Sequence, residues 1–124
     1  MSKVLVDTNV ILRALLRDNE KQSKQADEVI NAGAWTLPEV LAEVDHVLRT
    51  FYGVERKEIA RQLFTAVNLV DVERREVIFR AIKIFAETKL DFVDCILAAY
   101  HDIDNAEIFT FDKDLNKIMK REEK

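Results

Sequence analysis

The chain has 124 residues, of which 48% are hydrophobic and 34% are charged, the balance of a globular protein rather than a disordered one. This length predicts a single domain over residues 1–124. Two glycines and one proline argue against turn-dense β-sandwiches, collagen and flexible linkers. The net charge of −4 disfavours a non-specific nucleic-acid binder, although acids gathered in one metal site would distort this total.

Cysteine usage and apolar runs bear on the compartment. The single cysteine, Cys95, cannot form an internal disulfide and is predicted to be a small buried residue. One reduced cysteine favours a cytoplasmic protein. The apolar runs are too short to span a membrane, and polar residues interrupt the N-terminal segment where a signal peptide would need an apolar core.

Hydrophobic spacing predicts strands that alternate with helices along the chain. The predicted strands are 3–6, 34–37, 68–72 and 107–111. The first helix follows Thr8, the second lies between its cap Asn19 and Gly33, and the third opens at Pro38 and closes at Gly53. Four further helices are predicted around Leu63, around Ile82, at 92–103 and at 112–121.

This alternation predicts an α/β fold with a parallel sheet of four or five strands, flanked by helices on both faces. Parallel sheets of this kind bind ligands beyond the carboxyl ends of their strands. The residues that follow the strands are therefore the first candidates for a functional site.

Four acidic residues stand out by position. Asp7 follows the first predicted strand and Asp112 follows the last, while Asp94 lies in the first turn of the sixth helix and Glu43 lies within the third. If the first and last strands are close in a parallel sheet, Asp7 and Asp112 emerge at the same edge. Glu43 lies beside the apolar stripe of its helix, from which it can lean into a cleft.

Each acid also has a structural interpretation, and both interpretations stay open at this stage. Asp7 and Asp112 are plausible N-caps, and Asp91 with Asp94 fits a capping pattern at the start of the sixth helix. Glu43 could be a solvated residue at the flank of its helix. The combination favours a metal site, because Mg²⁺ and Mn²⁺ prefer carboxylate oxygens and support phosphodiester hydrolysis.

Other chemistries have little support. The two histidines, His46 and His101, have no evident nucleophile partner. The chain also lacks a glycine-rich phosphate loop and the Cys/His spacing of a zinc site.

Four segments, in order, resemble the motifs of the PIN-domain ribonucleases, and in particular the VapC-type toxins of toxin–antitoxin modules. The resemblance covers nearly the whole chain and depends on the acid in each segment. The segments are Val-Leu-Val-Asp7-Thr8-Asn9, Pro38-Glu-Val-Leu-Ala-Glu43, Leu90-Asp91-Phe-Val-Asp94 and Thr110-Phe-Asp112-Lys-Asp114. One departure is visible: the residues after Asp112 contain no β-branched run for a terminal fifth strand.

The resemblance implies cleavage of single-stranded RNA by metal-activated water. It assigns both catalysis and Mg²⁺ or Mn²⁺ binding to Asp7, Glu43, Asp94 and Asp112. It implies that Thr8, Asn9 and Thr110 orient these ligands and that Asp91 and Asp114 could assist or substitute. It further implies a homodimer, for which Leu12, Leu15, Leu16 and Phe51 offer apolar helix faces, and a cognate antitoxin protein.

Candidate phosphate contacts, chosen for their nearness in sequence to the acids, are Arg13, Arg17, Arg49 and Lys113, although such residues are more often solvated surface charges. Three alternatives remain: an RNA-processing nuclease without an antitoxin, a non-catalytic binding scaffold, and a receiver-like signalling domain. The last is disfavoured, because it needs paired acids near the N-terminus and a lysine after a late strand.

Overall fold

The computed structural model describes residues 4–122. These form two compact units, the first up to Arg75 and the second from Glu76 onward. The first unit contains β1 (Val4–Leu5), α1 (Thr8–Leu16), α2 (Glu20–Asn31), β2 (Ala34–Thr36), α3 (Pro38–Thr50), α4 (Arg56–Leu69) and β3 (Asp71–Val72). The second contains α5 (Arg75–Glu87), whose first residue belongs to the first unit, α6 (Phe92–Asp104) and α7 (Lys113–Glu122).

The sheet lies in the first unit and is parallel. Its order is β1-β2-β3, with Val4 opposite Ala34 and Trp35 opposite Asp71. Two helices connect each pair of neighbouring strands, as parallel pairing requires a long crossover. The Thr36 hydroxyl, which is buried, donates to the carbonyl of Val6 at 2.9 Å. This bond fixes the chain at the end of β1, directly before Asp7.

The core of the first unit is formed by helix faces. α1 packs against α2, α3 and α4, and α3 also packs against α4. The largest fully buried side chains on α3 and α4 include Leu41, Leu48, Ile59 and Leu63. Phe51 departs from the predicted stripe of α3, because it lies just past the last helical turn and is 79% exposed.

The second unit is helical. α5 buries six apolar side chains, and its Phe85 meets Phe92 of α6 edge to face with ring centroids 5.8 Å apart. α6 packs against α7, whose Leu115 and Met119 are buried. Cys95 is fully buried and its Sγ approaches the carbonyl of Leu90 at 3.7 Å, which confirms the prediction of a small buried residue.

The α/β class with a parallel sheet is confirmed, but the described chain has three strands and not four or five. Residues 107–111, predicted as a strand, pair with no strand among the described residues and form an irregular segment, so this prediction is wrong. Residues 68 and 69 belong to α4 and not to a strand, because Asn68 and Val70 both bond back to carbonyls of that helix. After Asp112 the described chain continues only as α7.

Within residues 4–122, every helix is too short or too polar to cross a membrane.

Candidate active site

Asp7 is the N-cap of α1. Its backbone is extended (φ −95°, ψ −177°), and its Oδ1 accepts a hydrogen bond from the amide of Val10 at 3.1 Å. The Val6 amide donates to Trp35 of β2 at 2.9 Å, so sheet and helix together fix where Asp7 stands. Its carboxylate is exposed, and Oδ2 accepts no hydrogen bond from the described residues. Capping therefore occupies only one of its two oxygens.

Thr8 and Asn9 form the first turn of α1 beside Asp7. Asn9 and Asp7 line a cavity of about 310 Å³, together with Arg13 and two glutamines of α2. The bond that holds the Asp7 carboxylate comes from Val10 and not from either neighbour, so their role in orienting a ligand stays a prediction.

Glu43 lies exposed on α3, where it is free to face solvent. A second acid on the same helix, Asp45, is 4% exposed and lies 3.7 Å from the guanidinium of Arg49. Sequence reasoning passed over Asp45. Its position between the buried residues Val44 and Leu48 was the available signal, because that face of the helix points inward.

Asp94 lies in the first turn of α6 and is partly buried. Burial raises the pKa of its carboxyl above the ordinary 3.8, and the nearby charges of Asp112 and Asp91 raise it further. Its carboxylate accepts no hydrogen bond from the described residues. The ionised form is therefore disfavoured by its surroundings, as expected of carboxylates that share a site.

Asp112 is held by a local hydrogen-bond network. Its Oδ1 accepts from the amide of Leu115 at 2.8 Å, so it caps α7, while its own amide donates to Thr110 Oγ1 at 3.0 Å. The side-chain amide of Asn116 donates to the carbonyl of Thr110 at 3.1 Å. Sequence reasoning missed Asn116. Its place four residues after Asp112, in the first turns of the capped helix, was the available signal.

Asp91 and Asp114 flank these acids in sequence. Asp91 takes the N-cap position of α6 with extended backbone (φ −61°, ψ 152°), but its side chain makes no capping hydrogen bond. The prediction that Asp91 and Asp94 form a capping pattern is therefore wrong, because the side-chain hydrogen bond from the N-cap is not made. Asp114 lies in the first turn of α7 and lines a cavity of about 230 Å³ together with Lys117.

The candidate acids are divided between the units. Asp7 and Glu43 belong to the first, and the second brings Asp94 within electrostatic reach of Asp91 and Asp112. No three His, Cys, Asp or Glu side chains among the described residues are grouped closely enough to bind a metal ion. The donor chemistry of the second unit nevertheless suits a hard divalent cation, because its carboxylates repel one another and one lacks a hydrogen-bond donor.

The arginines proposed as phosphate contacts bind acids of the first unit. Arg13 pairs with Asp18 at 2.9 Å and Arg17 pairs with Asp27 at 2.8 Å. The hydrogen bond between Arg17 and Asp27 lowers the pKa of that carboxyl and raises the pKa of the guanidinium. Arg49 faces Asp45, as described above. A phosphate would have to compete with these acids, which weakens the prediction for all three arginines.

Comparison with protein families matches residues 4–120 to the PIN domain. Comparisons with curated proteins and with solved structures gave no match. PIN domains are generally nucleases and typically depend on divalent metal ions. The matched range contains all four candidate acids and crosses both units, and it confirms the resemblance at the level of the family. The chain belongs to the PIN domain family.

Proposed function

We propose that the chain is a Mg²⁺- or Mn²⁺-dependent endoribonuclease that cleaves single-stranded RNA. The observation that carries this proposal is the family match over residues 4–120, which includes Asp7, Glu43, Asp94 and Asp112. The raised pKa of Asp94 supports it, because neighbouring carboxylates that repel one another are stabilised by a bound cation.

In this proposal Asp7, Glu43, Asp94 and Asp112 hold the ion. When bound, a divalent ion polarises the phosphate and lowers the pKa of water, which supplies a hydroxide nucleophile. The chain's own contribution is to hold the carboxylates in place. Asp7 and Asp112 are each anchored by one oxygen at a helix N-terminus and keep the other available. Thr110 and Asn116 fix the segment that precedes α7.

We further propose that the nuclease is a VapC-like toxin that forms a homodimer and is neutralised by a cognate antitoxin. The motif resemblance supports this assignment. Leu12 does not belong to this dimer face, because its side chain is buried and only 2% exposed. Phe51 and Tyr52, which are 79% and 45% exposed, are available for such contacts.

The dimer and the toxin are tested separately. Light scattering should give about twice the monomer mass, and a monomer at high concentration contradicts the dimer. Expression should arrest growth unless a small protein from the neighbouring gene is present.

Cleavage of a single-stranded RNA by the purified chain tests the nuclease. We expect cleavage with Mn²⁺ or Mg²⁺, none in excess EDTA, and a loss of at least about a hundredfold in rate for Asp94→Asn. Glu107→Gln is the matched control, because it removes an exposed acid from the same unit and should leave the rate unchanged.

Two results would overturn the nuclease: equal cleavage by the wild type in excess EDTA, or a wild-type rate for Asp94→Asn. A third result favours the non-catalytic scaffold. In that case Mn²⁺ raises the melting temperature of the wild type but not of Asp94→Asn, and no RNA is cut under any condition. Metal binding would then be real and hydrolysis absent.

A further inference from the structure

Two exposed aromatic rings come just before a candidate metal ligand, Asp112, in the sequence. Phe109 and Phe111 are 84% and 89% exposed, and they contact each other edge to face with centroids 5.1 Å apart and planes at 76°. They lie in the irregular segment between α6 and α7, and Asp112 follows directly. Rings this exposed contribute little to the stability of the chain, so their place calls for another explanation.

The segment that carries the rings is tied down at both ends. At its start, Nδ1 of His101 donates to the carbonyl of Ala106 at 2.9 Å. Between and after the rings, Thr110 bonds the amide of Asp112 and the side chain of Asn116. The backbone that presents the rings is thus held by several hydrogen bonds, which lowers the entropy lost when a ligand binds there.

The solvent face of α7 is basic although the chain as a whole is acidic. At 100° per residue, Lys113, Lys117 and Lys120 lie within about 60° of one another, over about 10 Å of helix. All three are exposed, and the buried residues Leu115 and Met119 lie on the opposite face. We name these three residues the lysine stripe. It begins two residues after Phe111, so the exposed rings and the cationic face are continuous along the chain.

We propose that Phe109, Phe111 and the lysine stripe form a platform for single-stranded RNA, on which bases stack on the rings while phosphates lie along the lysines. This inference rests on the proposed function and deepens it, since it names where the substrate binds. Aromatic rings beside a basic track are the combination that binds single strands without sequence preference. A protein partner docking by apolar contact would use the rings but would not need the lysines.

Fluorescence anisotropy with a short labelled single-stranded RNA tests the platform. The full-length Asp7→Asn chain in EDTA is the background, so that cleavage does not interfere. Replacing both rings by leucine keeps apolar bulk but removes the stacking surface, and should weaken binding by about 5- to 150-fold for each base that stacks. Replacing both rings by tryptophan should retain binding. Phe64→Leu is the matched control, because Phe64 is also an exposed ring, lies in the other unit and has no place in the proposed dimer face.

Salt dependence tests the lysine stripe separately. Each lysine changed to glutamine should reduce the slope of log K against log salt by about 0.7, the value for one phosphate contact of a single strand. The leucine variants should bind more weakly with an unchanged slope, since stacking releases no counterions. Duplex RNA should bind less tightly than the single strand, because its bases are already stacked on one another.

Three results overturn the platform: wild-type affinity for the double leucine variant, an equal loss for Phe64→Leu, or no measurable RNA binding. Cleavage separates this proposal from the nuclease. If the chain with native Asp7 cuts RNA while the leucine variants keep the wild-type KM, the platform is wrong and the nuclease stands. If no RNA is cut but the leucine variants lose binding, the nuclease is wrong and the platform stands.

Discussion

Each of the two units contributes one candidate acid that caps a helix and one that does not. Asp7 caps α1 in the first unit and Asp112 caps α7 in the second, each through Oδ1. Glu43 and Asp94 are the acids without a capping role. Capping and metal binding, which look like rival interpretations in the sequence, are therefore compatible. A capping carboxylate uses one oxygen and leaves the second for a cation.

The units differ in how their charges are balanced. In the first, arginines pair with acids, as Arg13 does with Asp18 and Arg17 with Asp27. In the second, Arg80 pairs with Asp102 at 3.1 Å, but burial, and then the charges of Asp112 and Asp91, raise the pKa of Asp94. The ionised form of Asp94 is thus disfavoured by its surroundings in the second unit. Function is expected to be most sensitive to substitutions there.

The largest expected effect tests whether the two units unfold independently or together. The sequence predicts one domain, so both units should unfold in a single transition. Leu63→Ala in the first unit should cost about 2–5 kcal/mol and Phe85→Ala in the second about 3–5 kcal/mol, because both side chains are fully buried. Urea unfolding followed by circular dichroism and by Trp35 fluorescence measures this.

If the two probes give the same unfolding curve, and each substitution shifts that whole curve, the two units unfold as one cooperative domain. Two separate transitions, each moved by only one of the substitutions, would contradict the single-domain prediction. The substitution Lys57→Ala at an exposed position of the first unit serves as the control and should move neither curve appreciably.

A smaller effect is expected at the two caps. Asp7→Ala and Asp112→Ala should each lower the free energy of unfolding by about 1 kcal/mol, because each removes the acceptor for a helix-terminal amide. The asparagine variants keep that acceptor and should stay within a few tenths of a kcal/mol of the wild type. RNA cleavage should be lost in both kinds of variant. Chemical denaturation and cleavage rates on the same preparations measure the two effects. If an asparagine variant cleaves RNA at the wild-type rate, the acid that it replaces serves only as a helix cap.

The smallest expected effect concerns Asp94. Because its pKa is raised in the folded chain, the folded state holds more protons than the unfolded state between the ordinary 3.8 and the raised value. The free energy of unfolding should therefore fall as pH rises through that window. Asp94→Asn removes this cost and should stabilise the metal-free chain by about half a kcal/mol at neutral pH. Below pH 3.8 the gain should vanish.

Denaturation in EDTA from pH 3 to pH 7 measures the difference between Asp94→Asn and the wild type. Glu107→Gln is the matched control for removal of one acid from the same unit. A variant that is less stable than the wild type at neutral pH would show that Asp94 stabilises the fold and is not held at an electrostatic cost.

Local patterns predicted most helices and the order of the elements. The caps Asn19 and Asp112, the proline that opens α3 and the glycine after α2 are signals within a few residues of the chain. The failures came where a property depends on distant neighbours. Residues 107–111 have strand composition but pair with no strand among the described residues, and Phe51 keeps helical spacing yet lies beyond the helix end.

The sequence by itself determined the α/β class and the family, because the alternation of strands and helices and the family's motifs follow from the order of residues. The four acids were proposed from the same motifs and stay a prediction. The tertiary structure decided which groups each charged side chain contacts and how deeply it is buried. It showed that capping occupies one oxygen each of Asp7 and Asp112, and that Arg13 and Arg17 already bind acids. It also showed that burial, and then the charges of Asp112 and Asp91, raise the pKa of Asp94. Burial and distance fix the state of a charge, and neither follows from the order of residues along the chain.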